Sequence, residues 1–307
     1  MLIISLILII VVNLSSITPV LLSIPTPDGY GQAVHPDIFK VVNNSSFKYG
    51  LSFTPFPYSM DIYENPCIVF TNDGINVSGS IINNPIIKEG YTPEGMLIYN
   101  NDPDVVYDER NGCYLMAIQN TYKDHSDQNI DIYCSKNLND WNMIKRLNQK
   151  EVINSDFSLS PSLVINENLY YLFFVNWGRK SIKFLRGLSI ENFNYHEQND
   201  ISINIPTGHV PWHIDVFKGS SDIFYMLICC AVSDDISVTD LFLATSKDLK
   251  NWNCEIEPIL RHGVEFFNSK KVYRSTGFEI DGKLKIWFSI HTNKNEWRIG
   301  YTEKKLK

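Results

Sequence analysis

Two sets of five residues recur through this chain in matching positions, and most of them can carry charge or move a proton. The first set is His35, Asp102, Ser160, His213 and Arg274; the second, two residues further along each time, is Asp37, Asp104, Ser162, Asp215 and Thr276. Every pair opens a short segment rich in β-branched and aromatic residues, so the period-two alternation of a strand turns both members to one face. The ten positions hold four carboxylates, two histidines and an arginine. Crowded carboxyl groups push some of their pKa values up while nearby cations pull others down, which is the arrangement acid and base work needs. Aspartate also accepts backbone N–H bonds at strand ends, and this structural role competes for each residue taken singly. Four such groups converging on one axis repel one another, a cost that favours a chemical role for some of them.

The matching positions come from a repeat, which decides the fold ahead of any local signal. Each copy reads strand, tight turn, strand, long loop, strand. The copies begin His35-Pro-Asp, Asp102-Pro-Asp, Ser160-Pro-Ser, His213-Ile-Asp and Arg274-Ser-Thr, and each leads into a turn such as Asp108-Glu-Arg-Asn-Gly or Lys218-Gly-Ser-Ser-Asp. Aromatic and β-branched runs follow as hairpin partners, namely Phe47 to Phe53, Cys113 to Gln119, Leu169 to Val175, Ile223 to Val232 and Leu284 to Ile290. A second signature closes two of the copies, Ser135-Lys-Asn-Leu-Asn-Asp-Trp and Ser246-Lys-Asp-Leu-Lys-Asn-Trp. Steps of 67, 58, 53 and 61 residues between equivalent positions place the length differences in loops. Repeated antiparallel units without amphipathic helical periodicity predict an all-β fold, a five-bladed β-propeller with a central funnel. The fifth copy ends soon after its third strand, and Ile17 to Ile24 is the segment able to supply a fourth and remove the open edge.

In such a propeller the two sets become two rings around the channel. Loops from second to third strands emerge beside the first-strand starts and form the walls. They carry Tyr58 and Glu64 from the first copy, Tyr122 and His125 from the second, Trp177 from the third, Asp234 and Asp235 from the fourth and Trp297 from the fifth, while Trp212 adjoins His213. Aromatic plates among amides and carboxylates suit sugar rings, which present apolar C–H faces and hydroxyl edges.

A formal charge of -7, from 27 Lys and Arg against 34 Asp and Glu, excludes a phosphate-backbone partner. The six cysteines form no C-x-x-C pair or Cys/His spacing for zinc, so no metal site is expected from them. Leu2 to Val12 is apolar apart from Ser5, with the length of a signal-peptide core and too short to span a bilayer, although no Lys or Arg precedes it. The expected division is a leader or anchor over 1–16 and one propeller over 17–307, in a secreted or cell-surface protein; if the N-terminus is instead a structural strand, a cytoplasmic one.

The five-fold repeat, the Asp102-Pro-Asp104 start and the Ser246 to Trp252 ending resemble the five-bladed propeller glycosidases related to glycoside hydrolase family 43, which include arabinanases, xylosidases and invertase-like enzymes. The resemblance runs from about Gly31 to Thr302 and implies cleavage of glycosidic bonds in an oligo- or polysaccharide. It maps the general base to Asp37 and the orienting, pKa-tuning carboxylate to Asp104. The family's third carboxyl, on blade three, is replaced by Ser160-Pro-Ser162, so Glu64 is the first candidate for the acid and Asp215 the second. Substrate contacts fall to His35, Asp102, Ser160, Trp177, Trp212, His213, Arg274 and Tyr58. No cofactor is required on this reading, beyond an ion or water held in the channel near His213. Loss of the blade-three acid leaves a non-catalytic glycan-binding propeller as the alternative; a protein-interaction propeller would instead present an apolar top face.

Overall fold

The computed structural model describes residues 18–42, 46–78, 82–148, 158–220, 222–263 and 269–306. The leader assigned to 1–16 lies outside these residues. Five sheets, antiparallel except where Ser202–Ile203 pairs parallel with Asn251–Cys254 at the outer edge of blade four, stand around one axis as a five-bladed β-propeller. Their innermost strands are Ala33–Lys40, Leu97–Asp108, Ser158–Asn166, His209–Lys218 and Ser269–Ile280, in the order the repeat predicts. The ring is closed by the N-terminal segment: Val20–Leu21 pairs antiparallel with Tyr301 and Gly300, and the Leu22 N–H donates to the Ile299 carbonyl at 2.9 Å. That strand covers an edge of blade five that would otherwise template association. Among the described residues no helix is long and apolar enough to cross a membrane.

The core is divided into five parts, one between each pair of neighbouring blades. Leu172 and Phe174 pack against Ala117 and Ile130 of blade two, whereas Phe173 and Val175, pointing the other way, meet Met226 and Phe242 of blade four. Trp287 and Tyr301 of blade five meet Leu51 and Phe53 of blade one, which joins the last blade to the first. A central strand is therefore covered on both faces, and its sequence reads as an unbroken apolar run rather than an alternating one.

The Ser-to-Trp endings are folding devices. Ser135 Oγ accepts from the Asn137 and Leu138 amides, Leu138 takes a positive φ of 67°, and the Trp141 indole N–H closes on the Leu138 carbonyl at 2.9 Å. Ser246, Leu249 and Trp252 repeat the arrangement in blade four. The signature thus marks the fold and not the site.

Candidate active site

Each innermost strand is interrupted by a bulge at its mouth-side end. The pairing register shifts between Val34 and Asp37, Asn101 and Asp104, Leu159 and Ser162, Pro211 and His213, and Val272 and Ser275. His35, Asp102 and Ser160 take φ values of 53°, 52° and 54° there, and each is followed by proline, which lacks the N–H that a regular ladder would require. The bulge re-aims side chains, so the simple alternation rule fails locally. Trp212 and Tyr273, which alternation turns away from the channel, are brought against it: Tyr273 lies 4.3 Å from the His213 ring and 5.5 Å from that of His35, and Trp212 lies 5.3 Å from His213.

The two rings part company in chemistry. In the lower one every side chain accepts a backbone N–H from the next blade. Asp37 accepts from Val105 at 2.7 Å, Asp104 from Leu163 at 2.7 Å, Ser162 from Val216 at 2.9 Å, Asp215 from Gly277 at 3.3 Å and Thr276 from Ile38 at 3.2 Å. These five bonds complete a circuit of the propeller and stitch its blades at the axis. All five residues are buried, and carboxylate oxygens of Asp37, Asp104 and Asp215 come within 4.8 Å of one another. Burial first, and then the neighbouring carboxylates, hold Asp37 and Asp215 well above the usual carboxylate range.

The upper ring lies on the mouth side and is as deeply buried as the lower one. Ligating atoms of His35, Asp102 and His213 lie within 4.8 Å of one another. Asp102 Oδ1 stands 3.4 Å from His35 Nε2, 3.5 Å from His213 Nδ1 and 3.3 Å from Arg274 Nη1. Arg274, only 1% exposed, reaches across from blade five toward the space beside the small Ser160 and Ser162, where its Nη2 donates to the Pro161 carbonyl at 3.1 Å. Burial drives the His35 pKa down to about 3 and lowers that of His213. Burial opposes ionisation of Asp102, but the His35 and His213 rings and the Arg274 guanidinium outweigh it and hold the carboxyl below its ordinary range. These directions favour neutral imidazoles beside an ionised carboxylate.

That state is the one a divalent cation binds. The His35 Nδ1 is engaged by Thr54 Oγ1 at 3.0 Å, which leaves Nε2 facing the axis. By strict hydrogen-bond geometry His35 Nε2, Asp102 Oδ1, Arg274 Nη1 and both ring nitrogens of His213 are unpaired among the described residues, although Asp102 Oδ1 faces His35 Nε2, His213 Nδ1 and Arg274 Nη1 at 3.3–3.5 Å. Buried polar atoms left this way call for an occupant between them, and the donor set fits a cation.

Glu64 enters from the blade-one loop. Its Oε1 lies 3.4 Å from His35 Nδ1, and burial, followed by the charges of Asp102 and Asp61, raises its pKa well above the usual range. Trp177 and Trp212 meet edge to face at 4.4 Å on the blade-three and blade-four side, where Lys180 bridges to Asp234 at 2.9 Å. Tyr273 and the buried Trp297, 5.3 Å apart, continue this wall on blade five, with the Lys271 ammonium over both rings. Tyr58 projects outward from the rim, and His125 is exposed on its turn. Reading the sequence missed Thr54, Lys271 and Tyr273; the residue type and position of Tyr273, directly before Arg274, were the available signal for it.

The five-bladed propeller fold is shared with several solved structures. The family model for the glycosyl hydrolases family 32 N-terminal domain matches residues 52–179. A curated relative, the A type blood N-acetyl-alpha-D-galactosamine deacetylase of Flavonifractor plautii, is 23% identical over an alignment covering 89% of this chain and 44% of the relative, so the chain spans less than half of that protein's length. A crystal structure of an N-acetylgalactosamine deacetylase from F. plautii, with blood group B trisaccharide, superposes with a TM-score of 0.77 at 18% identity, covering 93% of this chain and 94% of that one. An exo-1,5-alpha-L-arabinanase from a bovine ruminal metagenomic library gives 0.59 at 12% identity over 89% and 92% of the two chains. A family 43 beta-1,3-galactosidase with galactodeoxynojirimycin gives 0.61 at 12% over 90% and 92%.

Proposed function

We propose that this chain hydrolyses an acyl group, above all an N-acetyl amide, from a sugar seated in the funnel. The observation that carries the reading is the division of labour between the rings: the mouth presents His35, Asp102 and His213 as a ligand set, while three further carboxyls are sealed below by backbone bonds. His35, Asp102 and His213 would hold a divalent cation, whose chemistry is to polarise a carbonyl and lower the pKa of water. Glu64 then has the proton work. It takes the proton of the attacking water and returns it to the departing amine, a role for which a carboxyl with a raised pKa beside the ligand set is suited. Trp177, Trp212 and Tyr273 form one aromatic wall for the sugar, and Lys271 serves its hydroxyls. The deacetylase relatives support this choice of bond.

Cleavage of a glycosidic bond is the second reading, favoured by the family 32 match and the family 43 neighbours. It requires two carboxyl groups flanking the bond, about 6.5–9.5 Å apart for inversion or about 5–5.5 Å for retention, with water reaching one of them. Asp37, Asp104 and Asp215 each accept a backbone amide and are mutually close, which weighs against them in the roles the resemblance implied, and leaves Glu64 with Asp102 to act as the pair.

The deciding experiment incubates the full chain with an oligosaccharide ending in N-acetylgalactosamine and measures free acetate and new reducing ends separately. Acetate that stops on chelation and returns with a divalent cation is the expected result. Reducing ends without acetate would overturn the deacylase in favour of the glycosidase.

A further inference from the structure

On the blade-one rim Tyr30 and Tyr58, each 51% exposed, meet edge to face with ring centroids 5.5 Å apart. Among the described residues they are the exposed aromatic pair in ring contact. An exposed tyrosine alone says little. This pair is held out by a backbone that has to be forced: Tyr58 sits at φ 51°, ψ 31° and Ser59 at φ 62°, two consecutive non-glycine residues in the left-handed region. Such a conformation persists only where its surroundings over-determine it, as at binding sites. The surroundings here are the funnel wall. Gln32 Oε1 accepts from the Tyr58 amide at 3.2 Å and from the Trp297 amide at 3.0 Å, and the Trp297 indole donates to Ser59 Oγ at 2.9 Å.

Trp297 in turn touches Tyr273, and Tyr273 touches His213 and His35. A line of aromatic rings thus leads from the ligand set to the rim. The same two segments that carry the tyrosines also wall a cleft of about 360 Å³, with Pro27, Pro55, Ile62 and Tyr63 as apolar sides and Asp28 and Glu89 as acceptors. Oδ2 of Asp28 is buried without a hydrogen-bond partner. Ring faces interleaved with carboxylate acceptors match the C–H faces and hydroxyl donors of a pyranose, and match a continuous apolar protein surface less well.

We propose that Tyr30, Tyr58 and this cleft form a distal sugar subsite, so that the glycan is longer than a disaccharide and lies from the funnel to the rim. The inference rests on the reading of the funnel as a glycan-processing site and adds its substrate class, an oligosaccharide chain held at both ends.

The experiment measures equilibrium binding of two probes by the full chain: the methyl glycoside of N-acetylgalactosamine, and a tetrasaccharide ending in that sugar. Wild type is expected to bind the tetrasaccharide at least about tenfold tighter. Tyr30→Ala with Tyr58→Ala should lose about five- to tenfold for the tetrasaccharide and nothing for the methyl glycoside. Tyr30→Phe with Tyr58→Phe should keep the wild-type values, since the ring does the stacking. An unchanged melting temperature confirms that both variants fold. Equal affinity of wild type for the two probes, or full tetrasaccharide binding by the alanine variant, overturns the subsite; so does concentration-dependent self-association that only wild type shows, which would assign the patch to a second copy. Binding is read without turnover, so absent acetate release from both probes would sink the deacylase and leave the subsite standing on its own result.

Discussion

The Glu64 carboxyl stands 3.4 Å from Nδ1 of His35, and both side chains are almost wholly buried although the two residues are separated by a strand, a turn and a loop. The contact places the carboxyl against the Nδ1 side of a ligand-set imidazole. Glu64→Gln preserves shape and burial and removes the group able to take and return a proton. Its expected effect is a fall in kcat of about 10²- to 10⁴-fold with KM little changed, read by acetate release; a variant that keeps its kcat would take Glu64 out of proton transfer.

Cation binding at the upper ring should be visible without any substrate. A ligand that binds only the native state stabilises it by about 2.7 kcal/mol at a concentration of 100 Kd. A divalent cation is therefore expected to raise the melting temperature of wild type and to leave that of His213→Ala unmoved. Equal responses would mean that the cation binds elsewhere.

The lower ring makes a contrasting prediction for Asp37. Asparagine retains an oxygen to accept the Val105 amide, whereas alanine leaves that buried N–H without a partner. Asp37→Ala should cost about 1–3 kcal/mol in denaturant unfolding, and Asp37→Asn should keep turnover within a few-fold of wild type. Loss of turnover in a stably folded Asp37→Asn protein would restore this residue as the base that the family resemblance implies.

Asp240 offers a pH dependence away from the channel. It is buried, and although burial alone would raise its pKa, bonds from the His262 amide, His209 Nε2 and His262 Nδ1 outweigh that and lower it. A depressed carboxyl contributes stability that is present above its unfolded value of about 4 and is lost as pH falls from there through the folded value. Asp240→Asn should cost about 1.5–3 kcal/mol near neutrality. The gap from wild type should close below about pH 4, as followed by urea unfolding across pH. A gap that stays constant would show that packing, and not charge, is what Asp240 provides.

Much of the fold could be read along the chain because it is encoded locally and repeatedly. A hairpin needs its turn residues and its apolar runs in one stretch of sequence, and five such stretches can only bury both faces by standing side by side in a ring. The same repeat identified both sets of channel residues, and the missing fourth strand pointed to the N-terminal segment that does pair with Trp297–Lys305. Which ring would do chemistry was not legible. Asp37, Asp104 and Asp215 look as reactive in sequence as His35, Asp102 and His213, because nothing along the chain records that the Val105, Leu163 and Gly277 amides of the next blades arrive to claim them. The bulges were equally hidden, since a register shift is a property of two paired strands, and it is the bulges that turn Trp212 and Tyr273 inward. The contact of Glu64 with His35 belongs to the same class of fact. Residue types and their order determined what could gather at the axis; burial and neighbouring blades, which set each group's hydrogen bonds and pKa, decided which of them still faces the funnel.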